Sequence, residues 1–417
     1  MPVQLTYPTV DEVHRTARHL AGTHPGLFRL REVGRSRSGR PLLLLSAGHG
    51  TRDVLTVAGA HANEPVGPAS VQALARQFAE DPQWLEALDC TWHLLLCLDP
   101  DGAGLHEGRE GPSLLDYHLG FHRPSFRRQP EFLPGAGDDR PPMPESQALV
   151  RVLDELRPEL QFSLHGIEVG GSFLQLTAPM PGAAQAFREV AADLDVPLEY
   201  RPFDGIDWLV DSPGVLQLPT DGEDKEEMDP SGFLSEATWT YPAGHGTVSL
   251  IIEAPMWSVR AVSDPTPVPD PAGELHKVAE LLLDRTRQLS DALTSVRASS
   301  SPHEAAAREL LEAAPEVAVT WQEYAPGTAG IAATAGNCAS LGIAARRIPL
   351  RAAAMMRRAL RADGQGEAAR DVEWLVRAWC AETESAFRAR WVPVRAQVAL
   401  QTRVMKRAVT CVTEGIR

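Results

Sequence analysis

At 417 residues, 43% hydrophobic and 23% charged, the chain exceeds one ordinary core and fits a large domain plus a smaller one, not a disordered chain. No run approaches the roughly 18 apolar residues of a membrane helix, and a net charge of −15 argues against general affinity for nucleic acid. Five cysteines (Cys90, Cys97, Cys338, Cys380, Cys411) make neither an even set nor a Cys-x-x-Cys pair, which argues against a disulfide framework and a cysteine-held metal. Residues 1–11 have neither the basic nor the apolar region of a secretory signal, so a cytoplasmic location is expected.

The first 290 or so residues alternate short apolar runs with helical patterns, as an α/β domain does. Residues 40–45 and 54–59 are predicted strands. Residues 93–98 form a third, ending at the turn signal Asp99-Pro100-Asp101-Gly102. A helix is predicted over 148–156, then a strand over 159–164 that delivers His165, and another over 247–252 that delivers Glu253. Glycine- and proline-rich stretches at 133–144 and 212–232 read as long surface loops, the second carrying the acidic cluster 221–227.

Residues 295–302 read as a linker between a domain at 1–294 and a helical module at 303–417. Helices are predicted at 367–391 and 394–413, with Trp374 and Trp379 expected in the core. Residues 346–417 carry 15 Lys+Arg against 7 Asp+Glu. A basic tail on an acidic body implies either mutual attraction or a solvated arginine-rich surface, and the latter is the plainer expectation.

His61 and Glu64 follow an apolar strand, and in a turn entering a helix residues i and i+3 face the same way, so an imidazole and a carboxylate converge. The spacing alone is weak, because His165 and Glu168 repeat it. Context strengthens it: His61, His165 and Glu253 each stand at the carboxyl end of a predicted strand, where open α/β sheets place ligand sites. Two histidines and one glutamate would hold a catalytic zinc and leave a fourth position for water. Glu253 would then serve as general base. His49, His106, His118 and His245 are expected to be ordinary surface histidines.

Five blocks, in order over about residues 30–260, resemble the zinc metallocarboxypeptidases. These are Gly34-Arg35-Ser36-Arg37-Ser38-Gly39-Arg40, His61-Ala62-Asn63-Glu64-Pro65, Asp99-Pro100-Asp101-Gly102, Ser163-Leu164-His165-Gly166, and Val248 through Glu253 preceded by Trp239-Thr240-Tyr241. The resemblance implies a mixed central β-sheet flanked by helices, with a C-terminal helical module added. It further implies one Zn²⁺ per chain on His61, Glu64 and His165, with Glu253 as base, and cleavage of an amide beside a carboxylate.

The family's Asn-Arg pair for the substrate carboxylate is absent between Asp99 and His165, leaving Arg109, Arg123, Arg127, Arg128 and Arg140 as the basic candidates ahead of the helix predicted at 148–156. Arg123, in His122-Arg123-Pro124, resembles an arginine segment of a divergent bacterial branch and is the first choice for polarising the carbonyl. Arg127, Arg109, Tyr241 and Glu168 are the further substrate-binding candidates, although for Glu168 a structural role is the plainer reading.

The expected substrate is a peptide or an N-acyl amino acid. The alternatives are a deacylase of the aspartoacylase and succinylglutamate desuccinylase type, and a non-catalytic binding protein on a peptidase fold. The helical module is expected either to mediate self-association into a homo-oligomer or to cover the cleft.

Overall fold

The computed structural model describes residues 6–107, 111–134, 141–205, 208–218, 234, 236–323 and 334–413. The strands are β1 (Phe28–Arg35), β2 (Pro41–Ala47), β3 (Arg52–Ala58), β4 (Cys90–Leu95), β5 (Leu160–Gly170), β6 (Phe173–Leu176), β7 (Leu209–Ser212), β8 (Val215–Gln217), β9 (Val248–Ser258) and β10 (Arg390–Trp391). They form one mixed sheet in the order β1-β2-β4-β3-β5-β9-β6-β8-β7, with β10 pairing to β9. At its centre β4, β3, β5 and β9 run parallel. The antiparallel neighbours are β2 on one side and β6 on the other.

The helices of the first part are α1 (Val10–Thr23), α2 (Val66–Glu80), α3 (Gln83–Ala87), α4 (Pro100–Leu105), α5 (Leu114–Leu119), α6 (Pro144–Leu156) and α7 (Ala183–Asp193). Then follow α8 (Pro271–Ala292), α9 (Pro302–Glu323), α10 (Ala335–Ala362), α11 (Gly366–Phe387) and α12 (Val394–Thr413). The turn expected at Asp99 is the first turn of α4, where the Asp99 carboxylate accepts the Gly102 N–H at 2.9 Å.

Unbroken apolar runs make strands buried on both faces. Leu43 and Leu45 of β2 join Val54 and Leu94 in one core layer, with α1, α2 and α7. Leu44, Leu55, Val57 and Leu95 face the other way, against Leu149, Val152 and Leu153 of α6.

The helical stretch after residue 302 packs onto this body. Val398, Leu400, Val404 and Met405 of α12 lie in the first core layer. Residues of α10 and α11 share a cluster with Tyr117, Phe121, Met256 and Trp257. Its arginines reach across to body carboxylates: Arg347 to Asp204, Arg351 to Glu168, Arg403 to Asp193 and Arg407 to Glu189. Attraction between the basic tail and the acidic body operates at Arg347 and Arg351, which are largely buried, whereas Arg403 and Arg407 keep the solvated surface expected of them. Trp379 is in the core as expected, but Trp374 is 68% exposed. Nor are His106 and His118 surface residues: both are buried around Tyr117 and Phe121. No described helix is long and apolar enough to cross a membrane.

Candidate metal centre and cleft

His165 and Glu253 lie in mid-strand, because β5 and β9 continue five residues further, to Gly170 and Ser258. The strand end that opens the site belongs to β3, whose last pair is Ala58 with Leu164. One residue past that point, on adjacent strands, His165 is in register with Glu253. Parallel partners point the same way, so both side chains leave the sheet together, while their neighbours Leu164 and Ile252 enter the core behind.

The turn after β3 brings in the other members. Gly59 adopts φ +64°, and a Cβ there would lie 2.8 Å from Cys97 Sγ, so only glycine fits this approach. His61 and Glu64 follow before α2 begins. The His61 and His165 rings stand 4.7 Å apart, centroid to centroid. Glu64 lies 3.2 Å from His165 Nδ1, and its Oε2 also accepts the Gly166 N–H at 3.1 Å.

A third carboxylate joins them. Glu131 lies 2.7 Å from His61 Nε2 and 3.3 Å from His165 Nε2, and it accepts the Trp239 indole N–H at 2.8 Å. Two backbone hydrogen bonds pin its segment: Thr238 N–H to the Glu131 carbonyl, and Leu133 N–H to that of Glu236. Donor atoms of His61, Glu131 and His165 all fall within 4.8 Å of one another, the one such group among the described residues. The sequence reading did not find Glu131. It sits on an irregular segment with no ligand spacing, and its only sequence cue is the polar pair Gln129 and Glu131 among arginines and aromatics.

Charges in this cluster are strongly coupled. Burial raises Glu131, but His61 and His165 outweigh it and hold the carboxyl at about 2. Burial lowers His165, but Glu131 and Glu64 lift it to about 9. Glu64 is likewise held well below the usual carboxylate range, because His61, His165 and Arg123 outweigh its burial. Glu253 goes the other way: burial pushes it well above that range, and its Oε2 has no hydrogen-bond partner. Imidazoles packed against carboxylates form a donor set suited to a divalent ion such as zinc.

Arg123 reaches the same place. Its guanidinium donates to Glu64 at 2.7 Å, Gln129 at 3.0 Å and Asn63 at 3.3 Å. These groups face a cleft of about 190 Å³, also lined by Phe126, Trp239, Ile251, Arg347 and Arg351.

Residues 13–111 match the family model for zinc carboxypeptidases. That segment, about a quarter of the chain, is where the likeness to zinc carboxypeptidases lies. Carboxypeptidase A6 of Mus musculus is 32% identical over 102 residues, covering 22% of this chain and 23% of that protein. Its Homo sapiens counterpart is 32% identical over 101 residues, covering 22% of each. The chain thus aligns with less than a quarter of these curated relatives. Among solved structures, a metallo-carboxypeptidase from Burkholderia cenocepacia is 19% identical, covering 58% of this chain and 60% of that one, with a TM-score of 0.38. Carboxypeptidase A from Helicoverpa armigera is 16% identical, covering 60% and 65%, with a TM-score of 0.40. His61 and Glu64 lie inside the segment that matches the carboxypeptidase model; Glu131, His165 and Glu253 lie beyond it.

Four candidates for binding a carboxypeptidase substrate fall elsewhere. Arg109 lies outside the described residues. Arg127 does not line the cleft; it pairs with Glu236. Tyr241 donates its hydroxyl to Asp154 of α6 at 2.9 Å and does not line the cleft either. Glu168 is 1% exposed behind the cleft wall, its two oxygens bound to Arg351 at 2.7 and 2.5 Å.

Proposed function

We propose that this cleft is the active site of a zinc-dependent hydrolase of the metallocarboxypeptidase type, cleaving an amide bond in a peptide or N-acyl amino acid. The observation carrying this reading is the meeting of His61, His165 and Glu131 donor atoms, with Glu64 against His165 and Glu253 on the next strand. His61, Glu64 and His165 would hold one ion per chain, and Glu131 is placed to join them. Zinc held there would supply Lewis acidity and bring the pKa of a bound water from 15.7 to ≈ 7.

The rest is the work of the chain's own groups. Glu253 receives a proton at its unpartnered oxygen and delivers it to the departing amine. Its burial suits that task, because a carboxyl shifted upward holds a proton closer to neutral pH. Arg123, fixed by Glu64, Gln129 and Asn63, sets a permanent positive charge beside the oxygen that becomes negative. Trp239, Phe126 and Ile251 give the cleft an apolar side that limits water.

Two measurements test this. Elemental analysis should find one zinc per chain, and its absence after zinc loading would end the metal reading. Hydrolysis of blocked dipeptides should exceed that of N-acylated single amino acids; the reverse order would move the protein to the deacylase class.

A further inference from the structure

Two arginines reach the cleft from outside the segment that resembles the carboxypeptidases. Arg347 and Arg351 stand one turn apart on α10, and both line the cavity. Each is anchored from behind. Arg351 gives Nε and Nη2 to Glu168, while Asn63, between His61 and Glu64, donates to the same carboxylate at 3.5 Å. The Arg351 guanidinium also lies 5.6 Å from the Phe121 ring centre, which holds its plane. Arg347 grips Asp204 through both terminal nitrogens.

These anchors use one edge of the Arg351 fork. Its Nη1 makes no hydrogen bond to any described residue, which leaves the Nη1–Nη2 edge for a planar anion. Charge on the cleft wall points the same way. Arg123, Arg347 and Arg351 face Glu64, Glu131, Asp204 and Glu253, so a bound dication would still give the cavity a net positive charge.

We propose that Arg351, backed by Arg347, is the anion-recognition element of this cleft, selecting small amide substrates that carry a carboxylate on the side facing α10. The substrate class rests on the hydrolase reading above; the anion site itself does not. Arg351 discriminates because a fixed guanidinium fork pairs with a carboxylate through two parallel hydrogen bonds, which a carboxamide cannot match. The helix after residue 335 therefore supplies specificity to a centre built by the strands.

The experiment is calorimetric binding of glutarate, a small dicarboxylate, to metal-free wild type and to the paired variant Glu168→Gln/Arg351→Gln. The pair of changes keeps a hydrogen bond behind the wall and leaves no buried charge alone. Glutarate should bind wild type and bind the variant at least 10-fold more weakly, with unchanged circular dichroism. Equal binding to both proteins, or none to wild type, overturns the proposal whether or not the enzyme is active. If the paired variant unfolds, Arg351→Lys keeps the charge opposite Glu168 but lacks the fork, and the same 10-fold loss is expected.

With zinc-loaded protein, KM for a carboxylate-bearing dipeptide should rise in the variant, while KM for the same dipeptide amide stays put. A parallel rise for both substrates overturns the assignment of specificity. Glutarate binding that depends on Arg351 in a protein without hydrolytic activity would sink the hydrolase reading alone.

Discussion

The side chain of Gln401 donates its amide hydrogen to the backbone carbonyl of His165 at 2.7 Å. The same nitrogen reaches the Ile252 carbonyl at 3.2 Å, and Ser70 donates to its oxygen at 2.7 Å. A residue of α12 thus holds β5 and β9 together directly beneath the pair His165 and Glu253. Gln401→Leu removes an isosteric amide and strands three buried polar groups, so it should destabilise the fold by about 2–3 kcal/mol. Urea unfolding checks this, and an unchanged midpoint would show that the contact contributes nothing.

Glu131 and Glu64 make distinguishable claims on the ion. Replacing Glu131 by Gln should lower zinc affinity by about 10-fold or more, in competition with a fluorescent chelator, if the carboxylate takes part in or orients the donor set. Glu64→Gln should lower it at least as much. Full affinity in the Glu131 variant would return the centre to the ligand set His61, Glu64 and His165.

For Glu253 the expected loss is in turnover alone. Glu253→Gln should cut kcat by about 10²–10⁴-fold, the usual contribution of a general acid–base group, with zinc content unchanged. Retained activity would remove it from the mechanism.

Away from the centre, Glu199 is a second buried acid. It accepts hydrogen bonds from Ser340 of α10 at 2.5 Å and from Gly171 N–H at 2.7 Å, and burial pushes its carboxyl up to about 7. Because the folded state holds this proton more tightly than the unfolded chain, its effect on stability is harmless at low pH. It becomes a penalty as pH rises from the unfolded value to about 7. Glu199→Gln should therefore match wild type near pH 4 and exceed it above pH 7 by on the order of 3 kcal/mol. Equal stability across that range would contradict the assignment.

The strands were legible because their apolar runs are long and bounded by turn residues, so His61, Glu64, His165 and Glu253 could be named before any contact was visible. What the pattern could not show was where β5 and β9 stop: their apolar character continues as Ile167, Val169, Met256 and Trp257 beyond the polar residue taken as the end. Glu131 was hidden because its position depends on pairing with 236–238 and on one indole hydrogen bond. Arg351 was hidden for a different reason. Its place in the cleft follows from helix packing between residues 183 positions apart, and an arginine on an amphipathic helix reads as solvated until its partner Glu168 is seen. Tyr241 was misjudged by proximity along the chain to the segment that precedes Glu253; its ring in fact turns to α6.

The placement of α12 sets an order on biosynthesis. Tyr7 hydrogen-bonds Gln397 at 2.7 Å, four residues before the amide that supports His165. On the ribosome the nascent protein therefore holds His61, Glu64, Glu131 and His165 long before it holds the prop beneath them. The finished pocket must await the synthesis of α12, which carries that prop.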